Sequence, residues 1–229
     1  MCQAMPDDDR TAEQRTVQQR PVQAGIYRIR TLGVDGGLLT STDYKSWSGY
    51  YSQVLRTGSY ERDYYEPNGK YSRDTLWKIS LAENGSYKIR NLGCEVGYLS
   101  FSTAAKSWSG QYVQVLEGDR CGSYYTSEKD KYLPNGEFRN HILWDIFSAE
   151  NASFIIKNRG LKDGDLSFSS YATSSEGHYT QALDDQNRRS SYYTTEKHKY
   201  LPNGEFRNHI LWTFEKVNQE ELTRLGIVR

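Results

Sequence analysis

One sequence pattern occurs three times along this chain of 229 residues, and such a repeat constrains the fold more strongly than any local motif. Each unit opens on an aromatic residue, a variable residue, an isoleucine and a basic residue, at 27–30, 87–90 and 154–157. Each unit ends on a tryptophan followed by alternating residues, at 77, 144 and 212. The chain is therefore divided into three repeats, over residues 25–85, 86–152 and 153–217.

Each repeat contains four short segments in which apolar and polar residues alternate, and clusters of Gly, Asn, Asp and Ser separate them. This alternation is typical of half-buried β-strands, so the sequence predicts twelve strands. Asn84-Gly85 and Asn151-Ala152 lie between successive repeats, and an Asn-Gly pair strongly favours a tight hairpin. A helical pattern is confined to a short stretch at 219–225. We expect a flexible arm at 1–24 and a tail at 218–229.

The repeated motifs resemble those of the β-trefoil superfamily. Besides the opening and closing segments, the second strand carries Gly-x-Leu-Ser at 97–100 and 164–167, and the third carries Gln-Val-Leu at 53–55 and 114–116. Within that superfamily the chain is most similar to the ricin-B-type lectins and their cytosolic relatives. The resemblance implies an all-β chain folded as a single β-trefoil, with three four-stranded repeats around a pseudo-threefold axis.

Composition limits the function. The 29 basic and 29 acidic residues balance, which argues against a nucleic-acid binder, because such a protein needs clustered positive charge. An aromatic content of 14% argues against disorder, and no apolar run is long enough for a membrane span. The first 24 residues have no apolar core of a signal peptide, so we expect a cytoplasmic protein, with non-classical secretion as the alternative.

The second and third repeats share one unusually similar segment. Residues 123–144 and 191–212 are identical at 20 of 22 positions, whereas 87–117 and 154–184 match at only 14 of 31. One interpretation is a long connection that folds back on itself, with the Pro-Asn-Gly sequences at 134–136 and 202–204 as turns. The other is a binding surface present in two copies. The sequence leaves both open.

For a sugar ligand, aromatic rings would stack on the apolar face of the ring, and fixed polar groups would bind its hydroxyls. The polar candidates come from the shared segment, and they require both histidines to be accessible in equivalent grooves. Tyrosines on the third strand and tryptophans in the Ser-Trp-Ser-Gly loops supply aromatic candidates. The predicted ligand-binding residues are Trp47, Trp108, Tyr112, Arg139, Asn140, His141, Tyr179, Arg207, Asn208 and His209. The first repeat lacks seven residues here, so we expect its site to be degenerate or different.

The family's own binding pocket is only partly present. The aspartate that follows the second strand in ricin-B-type lectins corresponds here to Thr42, Ser102 and Ser169, and the glutamine before the closing tryptophan corresponds to Thr75, Ile142 and Ile210. The aromatic position of the third strand is retained as Tyr51, Tyr112 and Tyr179. The closing tryptophans lie at one phase of the repeat in apolar strands, and we expect them in the core.

These observations favour a non-catalytic lectin with similar sites in the second and third repeats and with glycans or glycoproteins as partners. No nucleophile motif, phosphate-binding loop or metal-ligand spacing is present, so we expect no catalysis, cofactor or metal. The alternative is a β-trefoil that binds another protein, such as a protease inhibitor or a cytoskeletal or signalling adaptor. Apolar residues at 222–228 could pack on the barrel or on a second chain in a homodimer.

Overall fold

The structure, a computed structural model, describes residues 22–34, 37–45, 49–55, 72–82, 85–94, 97–106, 110–116, 140–161, 164–183 and 208–228. These ranges contain twelve strands and one α-helix, as the sequence predicts. The elements are β1 (Gly25–Thr31), β2 (Leu39–Lys45), β3 (Gly49–Leu55), β4 (Trp77–Leu81), β5 (Tyr87–Asn91), β6 (Gly97–Lys106), β7 (Gly110–Leu116), β8 (Trp144–Ser148), β9 (Phe154–Asn158), β10 (Gly164–Thr173), β11 (Gly177–Leu183), β12 (Trp212–Lys216) and α1 (Gln219–Arg224).

The first and fourth strands of the repeats form a closed barrel of six strands. The strands pair antiparallel in a ring: β1 with β4, β4 with β5, β5 with β8, β8 with β9, β9 with β12, and β12 with β1. Within this ring β4 joins β5, and β8 joins β9, through tight hairpins. Gly85 has a φ of 78°, and Asn151 and Ala152 both have a φ of 56°, which confirms the turn predicted at 151–152; Asn84, in the other predicted turn, lies outside the described residues.

The second and third strands of the repeats form three hairpins that close one end of the barrel. The third strands β3, β7 and β11 also pair with one another in a triangle. Its three sides share one register, because the glycine that begins each strand lies opposite the leucine that ends another, as in Gly49 opposite Leu116. We call this triangle of hairpins the cap. A six-stranded barrel closed by three such hairpins is the β-trefoil architecture.

The closing tryptophans connect the barrel to the cap, which confirms the prediction that they are core residues. Trp77, Trp144 and Trp212 are 0% exposed. Each indole N–H donates a hydrogen bond to a backbone carbonyl of the second strand in its own repeat, at 3.0, 2.9 and 2.8 Å. A buried indole needs a partner for its N–H, so the same contact fills the core and fixes the cap.

The C-terminal tail packs on the barrel of its own chain. Asn218 caps α1 by accepting a hydrogen bond from the Glu221 N–H. Leu222 and Leu225 are buried in a cluster with Leu76, which lies immediately before β4. Of the two packing alternatives left open by the sequence, the structure therefore has the contact with the barrel.

Within the described ranges, no helix has the length and the apolar character that crossing a membrane requires.

Candidate functional site

Six of the ten predicted ligand-binding residues lie in the part of the chain that the structure describes. They are Tyr112, Asn140, His141, Tyr179, Asn208 and His209. The other four, Trp47, Trp108, Arg139 and Arg207, lie outside the described residues.

A turn of 3-10 helix precedes the closing strand of each repeat, at Ser72–Thr75, Asn140–Ile142 and Asn208–Ile210. In the second and third repeats this turn is the described end of the shared segment. Its isoleucines, Ile142 and Ile210, are 0% exposed and anchor the turn inward, whereas the asparagines that begin it are exposed. The fold thus presents one amide side chain at the same place in two repeats.

The opening strand of the next repeat holds each turn in position. In β9 the Asn158 side chain donates from Nδ2 to the His141 carbonyl at 2.9 Å. Its Oδ1 accepts a hydrogen bond from the Gly160 N–H at 2.7 Å. The turn of the third repeat is held across the β1–β12 pair, where the Thr31 hydroxyl donates to the Asn208 carbonyl at 3.3 Å. We call these side chains the turn clamps.

The expectation that both histidines are accessible is wrong. His141 is 7% exposed and His209 is 9% exposed. Their rings meet Phe101 and Phe168 edge to face, with centroids 6.3 and 6.5 Å apart and interplanar angles of 88°. The short turn directs each imidazole against the second strand of its own repeat, where it packs beside the core. The asparagines therefore remain as the exposed polar groups of the described turns.

The equivalent turn of the first repeat is covered by the C-terminal tail. Arg73 occupies the position of Asn140 and Asn208, and its Nη2 donates to the Leu225 carbonyl at 2.5 Å. Leu76, at the end of the same turn, is buried under α1. The difference expected for the first repeat thus has a physical cause, because a segment of the chain itself occupies this surface.

Tyr112 and Tyr179, predicted for two separate sites, lie together with Tyr51. Each belongs to a third strand, and the triangular pairing of the cap brings the three rings to the pseudo-threefold axis. Their centroids are 5.7, 5.5 and 6.0 Å apart, with interplanar angles of 76°, 68° and 76°. We call this set the axial tyrosines. Placing Tyr112 and Tyr179 in one site per repeat is thereby corrected, because both contribute to one shared surface.

The axial tyrosines lie on the outer face of the cap. The next residue in each strand, Ser52, Val113 or Thr180, is 0% exposed, and the tyrosines are partly exposed because strand neighbours face opposite sides. Burial raises the pKa of the Tyr112 phenol, with a smaller contribution from the nearby Tyr51. The Tyr112 phenol therefore stays uncharged at neutral pH and contributes an aromatic rather than an anionic group to this surface.

Glu176 lies near the axial tyrosines, because it is hydrogen-bonded to Gln53, the residue opposite Tyr179 in the β3–β11 pair, and Tyr44 lies within electrostatic range of Tyr179. Burial is the largest cause of the raised pKa of Tyr179. Smaller electrostatic contributions come from Tyr44, Tyr51, Tyr112 and Glu176. Tyr44 is 55% exposed. Tyr51 was absent from the predicted ligand-binding residues, although it belongs, with Tyr112 and Tyr179, to the aromatic position retained from the family's pocket. No sequence signal points to Tyr44.

A polar network joins the third hairpin of the cap to the first repeat. Gln53, which is 0% exposed, donates from Nε2 to Glu176 Oε2 at 2.9 Å. The Ser174 hydroxyl donates to Gln53 Oε1 at 2.5 Å and accepts from the Gly177 N–H. Ser175, which corresponds to the tryptophan of the other two hairpin loops, is exposed. This network fixes Glu176 at the border of the tyrosine surface.

Among the residues that the structure describes, His, Cys, Asp and Glu side chains form no group of three that could hold a metal ion. The groups that the site does present are phenols, amides and one carboxylate. Phenols and amides suit an uncharged polar ligand, because they offer hydrogen bonds together with contact to aromatic rings.

No protein-family model matches the sequence, and no curated protein sequence is significantly similar to it. Solved structures do match. The designed threefold-symmetric protein ThreeFoil has a TM-score of 0.51 at 12% identity, and the match covers 84% of this chain and 99% of ThreeFoil. A salivary protein from Culex, of the Cysteine and Tryptophan-Rich family, has a TM-score of 0.50 at 16% identity over 86% of this chain and 96% of its own.

A mosquitocidal holotoxin is also similar, with a TM-score of 0.52 at 16% identity over 86% of this chain. This chain spans only 18% of the holotoxin's length. At sequence identities this low, the matches show a shared fold and nothing more. These structural matches, together with the barrel and the cap, establish a β-trefoil fold for this protein.

Proposed function

We propose that the protein is a non-catalytic carbohydrate-binding protein with two similar sites, at the turns of the second and third repeats. The observation that carries the proposal is the exposure of Asn140 and Asn208 at equivalent points of two nearly identical segments. Their buried neighbours account for the rest of the described turn, but packing gives no reason for an exposed amide in both copies. A ligand that both copies bind would supply one.

The mechanism is shallow recognition without a metal. An asparagine amide offers both donors and an acceptor, which match the hydroxyl pairs of a sugar. Arg139 and Arg207, which precede the two asparagines and lie outside the described residues, would add charged donors. Two weak sites on one molecule bind a multivalent surface more tightly than either binds alone. Glycans or glycoproteins are the proposed partners; a cytoplasmic location remains a prediction from the sequence.

The first repeat supports a count of two sites rather than three. Its turn carries Arg73 in place of the asparagine, and that side chain is bonded to the C-terminal tail. A ligand would have to displace α1 to reach it. The pseudo-threefold symmetry of the barrel is thus broken where the proposed sites lie.

A glycan array with the purified protein tests the proposal. Asn140→Ala and Asn208→Ala should each weaken retention on dense glycans, because avidity needs both sites, and the double variant should abolish this retention, because neither turn site is left. Both side chains are exposed, so the free energy of unfolding should change by less than about 0.5 kcal/mol. Arg73→Ala is the matched control and should leave retention unchanged.

Two results would contradict the proposal. If the array retains nothing, the protein is not a lectin for the printed glycans, and a protein ligand becomes the better interpretation. If glycans are retained equally by the double variant, the carbohydrate site lies elsewhere on the molecule.

A further inference from the structure

The axial tyrosines form a surface that the two proposed turn sites do not use. Each repeat supplies one ring, and every pair of rings is in edge-to-face contact. This contact geometry is the favourable one for aromatic pairs, so the three rings support one another. The surface is therefore a single pre-formed unit at the axis.

The layer beneath the rings is buried and hydrogen-bonded across the three strands. The Ser52 hydroxyl donates to the Val113 carbonyl at 3.1 Å and also contacts the Thr180 hydroxyl, so the three strands are linked at the axis by side chains as well as by backbone pairing. All three of these residues are 0% exposed. A ligand that contacts the rings would pay little for ordering them, because they are already held in place.

The chemistry around the rings matches one class of ligand. Tyr44 is more than half exposed and lies within electrostatic range of Tyr179. Glu176, held by Gln53, places a hydrogen-bond acceptor beside Tyr179. A pyranose has an apolar face of C–H groups and a rim of hydroxyl donors, and it would find an aromatic surface and an acceptor side by side.

We propose that Tyr51, Tyr112 and Tyr179 form one axial binding site, which takes the apolar face of a single pyranose ring with Glu176 accepting from a hydroxyl. The inference rests on the proposed carbohydrate function and adds a site of different construction. The turn sites occur once in each of two repeats, whereas the axial site needs all three repeats and occurs once per molecule.

Saturation-transfer NMR with the methyl glycosides of galactose, glucose, mannose and N-acetylglucosamine tests the axial site. Irradiating the tyrosine ring protons should transfer magnetisation to the C–H protons on one face of a bound glycoside. Tyr51→Ala should lower the affinity for that glycoside at least about tenfold, which corresponds to about 1.4 kcal/mol of binding free energy. Tyr98→Ala, a partly exposed tyrosine on β6 opposite Arg90, is the matched control and should change nothing.

Tyr44→Ala keeps the test decisive if Tyr51→Ala does not fold, because the Tyr44 ring is 55% exposed. A loss of at least about threefold in affinity supports the site, since Tyr44 lies within electrostatic range of Tyr179. Unchanged affinity in Tyr44→Ala together with Tyr51→Leu overturns it, because neither aromatic ring would then contribute to binding.

The Asn140→Ala/Asn208→Ala double variant separates the two proposals. If it still binds a glycoside and Tyr51→Ala does not, the axial site stands and the turn sites fall. If Tyr51→Ala binds normally and the double variant does not, the axial site is overturned and the proposed function survives. If no glycoside receives saturation transfer from the wild-type protein, the axial site is overturned whatever the array shows.

Discussion

Asn158 is the side chain through which the fold most directly controls a proposed site. It is 1% exposed and makes two hydrogen bonds, one to the His141 carbonyl at 2.9 Å and one from the Gly160 N–H at 2.7 Å. Asn158→Ala removes both bonds and leaves a carbonyl and an N–H without this partner. Each lost bond costs about 1 kcal/mol, and each partner left unsatisfied in a buried place adds more, so we expect about 2–4 kcal/mol of destabilisation.

Urea unfolding followed by the fluorescence of the buried tryptophans measures this change. The expected loss corresponds to a fall in the thermal midpoint of roughly 4–16 °C for a domain of this size. Asn158→Ala should also weaken glycan retention, because Asn140 would no longer be held on an ordered turn.

Asn91→Ala is the matched control. Asn91 makes the same pair of bonds, to the Asp74 carbonyl at 2.6 Å and from the Gly93 N–H at 2.9 Å, but it clamps the turn of the first repeat. It should lose similar stability and keep its glycan retention. A change below about 0.5 kcal/mol in Asn158→Ala would refute the reasoning, since surface substitutions alone cause that much.

Three further results are expected. Glu221 accepts hydrogen bonds from the buried Arg28, and these bonds hold the pKa of Glu221 below the ordinary 4.5. The ionised carboxylate therefore stabilises the folded protein at pH values above 4.5, and this contribution is lost as the pH falls through the lowered pKa. Urea unfolding across a pH series should show this loss, and Glu221→Gln should remove it and cost about 1.5–3 kcal/mol at neutral pH. Gly177→Ala would place its Cβ 2.1 Å from a carbonyl oxygen of β3, so thermal unfolding should report a loss of more than about 1 kcal/mol; a neutral result would mean that the cap pairing relaxes freely. The raised pKa values of Tyr112 and Tyr179 mean that these phenols ionise first in the unfolded chain, so stability should fall as pH rises above about 10, and Tyr112→Phe should reduce that slope.

The repeat pattern predicted most of the fold because the fold depends mainly on the number of strands and on which face of each strand is buried. Alternation of apolar and polar residues fixes which face of each strand is buried, and the triplication fixes how many strands there are. The tryptophans were placed correctly for the same reason, since Trp77, Trp144 and Trp212 share one phase in apolar strands.

The candidate site could be predicted only in part, because side-chain direction depends on contacts that are distant in sequence. His141 is buried against Phe101, which comes 40 residues earlier in the chain (141 − 101), and no local pattern specifies that contact. The meeting of Tyr112 with Tyr179 depends on the register of β7 against β11. An offset of one residue in that pairing would have directed one of the rings into the core.

The pairing of β1 with β12 has a consequence for how the chain folds. Tyr27 lies opposite Lys216, so the ring of barrel strands closes only when its first and last strands meet. Contacts this distant in sequence slow the folding of a domain, because a long loop must be ordered before the pairing compensates for the lost entropy. During synthesis one edge of β1 stays unpaired until β12 has been made. We therefore expect the pairing of β1 with β12 to be the slowest step of folding. Until it forms, the exposed edge of β1 can pair with another chain.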